Sequence, residues 1–382
     1  MRAGGVTSLI VLGSSLLQLC QLRADPMDRW HIRSSAFGLN LHDVTYGSSR
    51  FVAVGQGGTA IVSSNGVDWN LTATNLSASL HGVAFGSGRF VAVGEAGALF
   101  TSPDGIEWNA RDSGTSNSLQ AVRWLSDRFL ATGDAGTLLS SSNGLDWTQY
   151  SSGTAHTLRG VTSGDGLFLA VGAGNSNPSS ICISSDGMTW TNQAVNASQL
   201  YDVSFGHDRF VVLSVRGQVY VSTNGLDWEY VFRTVDSRYL FALTYVHGRF
   251  VAVGGLYGGG SQKIATSRDG FAWTLHPVDI NHSGTLRGIA YGDSTFVAVG
   301  DKGLILQSDS MFRLTVGPVV QGARSWILTG DAGRDYRVQF TTDPAGNSWT
   351  DLTNFTSTSD IISVIDPTAA NAPMRFYRAA SP

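Results

Sequence analysis

Apolar residues in this chain come in short bursts set between glycines. From Leu41 there is an alternating stretch, LHDVTYG, then a nearly continuous one, RFVAVG, then TAIVSS, and after a polar turn a fourth led by tryptophan, WNLTAT. Each burst has the length of a strand, favours β-branched residues and stops at Gly or a polar pair. That pattern predicts β-strands and excludes helical repeats. The whole unit then returns. Residues 41–69 match residues 80–108 almost position for position, and further copies begin at Leu119, Leu158, Leu200, Leu240 and Leu286. The seven starts lie 39 to 46 residues apart. A period of that size with four strands in it predicts one propeller blade per copy.

The ends of the array fit a closed ring. The seventh copy decays after LILQSDSMF, while WHIRSS at Trp30 precedes Leu41 by the same eleven residues that separate Trp69 from Leu80. The N-terminal segment is therefore expected to supply the fourth strand of the seventh sheet, leaving no open edge to aggregate. The expected fold is all-β: a seven-bladed β-propeller over residues 25–312, closed by an N-terminal strand.

Six copies share the turn S-x-[DN]-G-x-x-W, built on Asn65, Asp104, Asn143, Asp186, Asn224 and Asp269. Asp or Asn accepts backbone N–H bonds in a tight turn, Gly supplies backbone freedom, and Trp covers the result. The turn resembles the Asp box of sialidase-like propellers, in a form one residue shorter. The chain as a whole resembles bacterial exported Asp-box propellers of the sialidase-like and photosystem II assembly (stability) factor repeat superfamily, over about residues 30–312. The resemblance implies a structural role for the six turns. An Arg before the second strand (Arg50, Arg89, Arg128, Arg209, Arg249) and an acid before the Trp (Asp68, Glu107, Asp146, Asp227) recur at the same end of the first, second, third and fifth copies, while the fourth has Leu167 and Thr189 and the sixth sets Arg249 beside Ala272. Salt bridges within each sheet are expected there.

Composition narrows the class. Only 14% of the 382 residues are charged, against about 25% in typical domains, and there are 46 glycines. The net charge is -4 with no basic run, so no nucleic-acid partner is expected. Residues 1–24 read as a cleaved signal peptide: Arg2, an apolar stretch too short and interrupted for a membrane span, then LRAD. The product is expected to be secreted, periplasmic or at the cell surface, without an integral span. Cys20 falls in that leader, so Cys182 is left alone and no internal disulfide is expected. Residues 313–382 lose the period but keep short strands between turn residues. They predict a small β-sandwich of immunoglobulin or fibronectin-III type.

Candidate chemistry gathers where the second residue of each copy faces the channel mouth: His42, His81, Gln120, Arg159, Tyr201, Phe241 and Arg287. It is the most varied position of an otherwise regular strand. Adjacent turns add Glu95, Asp134 and Asp301, and a long loop of the sixth copy adds Tyr257. Arginines can hold an anion and the aromatics can stack on a sugar or peptide. The histidines lack metal spacing, and no nucleophile elbow or phosphate loop is present, so neither metal nor cofactor is expected. The leading expectation is a non-catalytic exported scaffold that binds a glycan or an envelope protein. The alternatives are an assembly or stability factor for a membrane complex, which the resemblance implies, and a glycan-cleaving enzyme using Glu95, Asp134 or Asp301. The sequence leaves the oligomeric state open.

Overall fold

The computed structural model describes residues 9–13, 26–34, 38–73, 76, 78–173, 178–233, 239–256, 262–276, 278, 280, 282–318, 320, 323–330, 335–342, 348–359, 361–368 and 374–380. The chain divides into two compact units, Trp30–Ser308 and Met1–Arg29 with Asp309–Pro382. Among the described residues of the first unit there are seven four-stranded antiparallel sheets. Sheet one consists of Leu41–Gly47, Arg50–Gly55, Thr59–Ser63 and Asn70–Ala73, called here strands a to d. The a strands of sheets two to seven are Leu80–Gly86, Leu119–Leu125, Thr157–Gly164, Leu200–Gly206, Tyr239–Val246 and Leu286–Gly292. The expected closure is present. Trp30–Ser34 pairs antiparallel with Leu304–Ser308 and forms the d strand of sheet seven.

Burial explains the order. The b strand carries a fully buried aromatic in six sheets: Phe51, Phe90, Phe129, Phe210, Phe250 and Phe296 are each 0% exposed. Hydrophobic clusters form between neighbouring sheets, and Leu41, Val44 and Phe51 of sheet one share a cluster with Val297, Val299 and Ile305 of sheet seven. Burying each such Phe contributes about 2–3 kcal/mol. Shape adds a second lock. The a strand of most sheets ends in Gly, and the aromatic before the next sheet's final position fills the space: a Cβ added to Gly47 would lie 2.0 Å from Phe85, and one on Gly86 2.1 Å from Trp124. Where sheet three ends instead in Leu125, sheet four carries Ser163 at the aromatic position.

The c–d turns follow the expected chemistry. In sheet one, Asn65 Oδ1 accepts from the N–H groups of Val67 and Asp68, both at 2.9 Å, and the Ser63 hydroxyl accepts from Gly66 N–H at 2.9 Å. The six turn glycines sit at φ between +71° and +78°, a conformation that disfavours any side chain. Trp69 Nε1–H donates to Gly66 O at 3.1 Å.

Among the described residues the expected salt bridges within the sheets are not formed. Asp68 instead accepts from Asn65 Nδ2 at 3.0 Å, and the Asn143–Asp146 and Asn224–Asp227 pairs do the same at 2.9 Å. Where the turn residue is Asp the follower varies: Glu107 follows Asp104, Ala272 follows Asp269, and Thr189 follows Asp186 and donates its hydroxyl to it at 3.0 Å. The arginines reach forward into the next sheet. Arg50 Nη1 donates to Asp104 O at 2.9 Å, Arg128 Nη1 to Asp186 O at 3.1 Å, and Arg209 lies 5.0 Å over the Phe271 ring. After an Asn the acid is held inside its own turn, while Arg50 and Arg128 meet carbonyls of the next sheet.

In the second unit, Met374–Ala380 pairs with Asp335–Thr341 and with Leu9–Gly13, and Thr350–Thr356 completes a four-stranded sheet. Arg313–Val316, Arg324–Thr329 and Ile361–Asp366 form a three-stranded sheet. Trp326, Tyr336, Val338, Val364 and Tyr377 share its core. Leu9–Gly13, part of the segment read as a leader, is thus a strand here. Among the described residues no helix is long and apolar enough to cross a membrane.

Candidate functional site

Every a strand breaks register at the residue that follows the Leu opening its copy. The pairing with strand b shifts between Leu41 and Asp43 in sheet one, and at the corresponding place in all six other sheets. An extra residue in one strand of an antiparallel pair re-aims its side chain. Here seven such bulges turn His42, His81, Gln120, Arg159, Tyr201, Phe241 and Arg287 toward one end of the central channel. All seven line a cavity of about 390 Å³, with Asp301 and Asn40.

The lining is uneven around the ring. Tyr201 meets Phe241 edge-on at 5.1 Å, and Tyr239 stacks on Phe241 at 5.6 Å. Arg287 is held by Asp301 through two bonds of 3.1 and 3.0 Å and lies 4.6 Å over Phe241. Its charge is neutralised in place. Arg159 is exposed and lies 5.9 Å over the Tyr201 ring, and no carboxylate pairs with it among the described residues. His42 and His81 lie 5.7 Å apart and donate from Nδ1 to Leu80 O (2.7 Å) and Leu119 O (3.1 Å) of the following sheets. Burial, partly offset by the Leu80 carbonyl, lowers the pKa of His42 and keeps it neutral.

Two of the expected acids are not in the cavity lining. Asp134 accepts from Gln120 Nε2 at 3.0 Å and from the Thr157 hydroxyl at 3.1 Å, and so braces sheet three against sheet four. Glu95 accepts from Ser79 N–H at 3.4 Å and stands 4.0 Å from His81. Their short turns aim them at neighbouring chain. Tyr257 lies outside the described residues.

Sequence reasoning missed the cavity floor. Asp43 accepts from the N–H groups of Val44 (2.9 Å) and, in sheet two, Val83 (3.1 Å), and it takes Arg123 Nη1 at 2.9 Å. Asp202 repeats the motif half a ring away, accepting from Val203 at 2.9 Å and from Leu243 of sheet six at 2.8 Å. Each carboxylate fastens one sheet to the next. Burial pushes the Asp202 carboxyl up to about 6, opposed by the Arg123 charge. Asp43 in turn holds Arg123 firmly protonated. The signal was available: the third residue of each copy, counted from its Leu, is Gly or Ala in the five other copies, and Arg123 stands where the others have Thr, Ser or Ala. Asp301 is paired with Arg287, and both floor carboxylates accept from backbone donors. Among the described residues no group of His, Cys, Asp and Glu could hold a metal ion.

No protein-family model and no curated protein sequence matches the chain. Solved structures do. YCF48 bound to D1 peptide aligns with a TM-score of 0.61 at 19% identity, over 78% of this chain and 99% of that one. The WD40 β-propeller domain of Doa1 gives 0.57 at 11%, over 73% and 96%. A catalytically inactive virginiamycin B lyase from Staphylococcus aureus with quinupristin gives 0.63 at 11%, over 73% and 98%. At these identities the likeness is one of fold, and the fold is that of a β-propeller.

Proposed function

We propose that the seven sheets are the seven blades of one propeller, that the c–d turns are Asp boxes, and that the C-terminal unit is a small immunoglobulin- or fibronectin-like sandwich behind an N-terminal export signal. The protein works as a non-catalytic scaffold of the envelope or exterior, holding a peptide segment of a partner protein at the channel mouth. The observation that carries this reading is Arg159: an exposed guanidinium without a carboxylate, beside the Tyr201–Phe241 wall, presented by a bulge on a rigid ring. Such an arrangement suits an acidic group next to an aromatic or apolar side chain. The peptide in the YCF48 structure supports a peptide as the class of ligand, and with it the assembly-factor form of the reading.

The test is binding of the full chain to an array of peptides graded in acidity and aromatic content, beside a glycan array. Acidic aromatic peptides should bind, and Arg159→Ala should weaken them at least tenfold without lowering Tm. Selective glycan binding lost in the same variant would replace the peptide by a sugar. Peptide binding that Arg159→Ala leaves unchanged would remove the mouth from the account.

A further inference from the structure

The c–d turns carry a regularity that neither their own hydrogen bonds nor the mouth uses. Two residues before each Trp stands an apolar side chain: Val67, Ile106, Leu145, Met188, Leu226 and Phe271. Its backbone N–H is engaged, donating to the turn's Asn or Asp oxygen at 2.7–2.9 Å. Five of the six side chains, all but Leu145, are between 38% and 53% exposed. Those five make up half of the ten large apolar side chains exposed among the described residues. Scattered exposed apolar residues are ordinary, but exposure at the same point of five out of six successive turns is a pattern.

All six turns lie at the end of the propeller away from the mouth. The contacts of residues 47 with 85 and of His42 with His81 show that adjacent a strands run side by side in one sense, so equivalent turns share a face. That face is acidic. Asp68, Glu107, Asp146 and Asp227 directly follow the apolar residue and are exposed, and a–b turns add Asp127, Asp165 and Asp208. Arg50, Arg89, Arg128, Arg209, Arg249 and Arg268 stand at the same end and keep their charge, but with Asp104, Asp186, Asp269 and Asp293 the acids there outnumber them by eleven to six.

We propose that this face is a second docking surface, independent of the mouth, for a partner protein whose contact region is both basic and apolar, as a cationic amphipathic helix is. Charge chooses the occupant. An anionic lipid surface is repelled by the carboxylates, and a second copy docking by the same face sets acid against acid. A basic amphipathic segment satisfies both components.

The probe is an 18-residue amphipathic Lys/Leu peptide, compared with its Glu/Leu counterpart and with phosphatidylserine vesicles, each titrated against the full chain. The Lys/Leu peptide should bind with an affinity that falls with salt. Ile106→Ser/Met188→Ser/Leu226→Ser should weaken it at least tenfold at unchanged Tm, Leu226→Ser alone about threefold, and Arg159→Ala not at all. Retention of Arg159→Ala binding separates this surface from the mouth. Equal binding by parent and triple variant, equal binding of the Glu/Leu peptide, or a preference for vesicles would overturn the proposal. So would a fall in Tm in both serine variants, which would assign these side chains to packing.

Discussion

Consider Gly86→Ala. The backbone of Gly86 is not left-handed, so alanine is allowed by torsion and would by itself gain about 0.4–1 kcal/mol by restricting the unfolded chain. Space forbids it. The new Cβ would sit 2.1 Å from Trp124 Cδ2 and 2.3 Å from Cγ, where carbon atoms prefer about 3.5–4.0 Å. The indole has no retreat, because it meets Phe129 edge-on at 4.6 Å and Phe129 is fully buried. The ring or the strand must shift by more than about 1 Å, and overpacking of this kind costs about 1–3 kcal/mol. In a Trp124→Ser background the obstruction is gone, and Gly86→Ala should become neutral or mildly stabilising. The four proteins form a double-mutant cycle, read by denaturant unfolding, with an expected coupling of about 2 kcal/mol or more. The pair Leu125 and Ser163 is the same exchange made by the sequence itself, with Leu125 packed on the cluster containing Leu158 and Phe168. If the two substitutions add within about 0.5 kcal/mol, the Gly–aromatic contact does not set the blade spacing and the argument fails.

Asp202 gives a pH signature. Its carboxyl titrates near 6 in the folded state against an ordinary 3.8, so the folded protein holds a proton that the unfolded chain releases. Its contribution is full below about pH 4 and is lost as pH rises through 6, by about 3 kcal/mol, and Asp202→Asn should flatten that part of a stability–pH curve. Asn65→Asp sets a second carboxylate against Asp68. It should lower Tm at pH 7 but not at pH 3, and Asp68→Thr should restore it by copying the Asp186–Thr189 pair; no rescue would mean the pairing of turn residues is incidental. Cys182 is buried and its thiol is pushed up to about 12 by burial, so it should resist alkylation in the native protein and react only on unfolding.

The repeat made the sheets legible in the sequence because apolar periodicity, Gly spacing and the invariant turn all state local structure. Ring closure was legible too, since Trp30 repeats the distance kept by Trp69. What failed was anything set by the angle between neighbours. Arg50 and Asp68 share a face on paper, but Asp68 is taken by Asn65 three residues before it and Arg50 crosses to Asp104. Seven cavity-lining residues were found because variation within a regular strand marks a position freed from packing. Asp43, Arg123 and Asp202 were passed over because charge inside an apolar pattern only gains meaning once three sheets are brought around one axis. Glu95 and Asp134 sit on turns whose direction no spacing encodes.

The pairing of Trp30–Ser34 with Leu304–Ser308 has a consequence for how the molecule is made. Arg33 Nε donates to Gln307 Oε1 across 274 positions of chain. During synthesis from the N-terminus, six sheets can assemble while Trp30–Ser34 waits for a neighbouring strand not yet made. Closing so long a loop carries an entropic cost that grows only slowly with length, so the step is slow to begin and favourable once begun. Until residue 308 is released the nascent ring has two bare flanks, and any chaperone or crowded neighbour that meets it will meet it there.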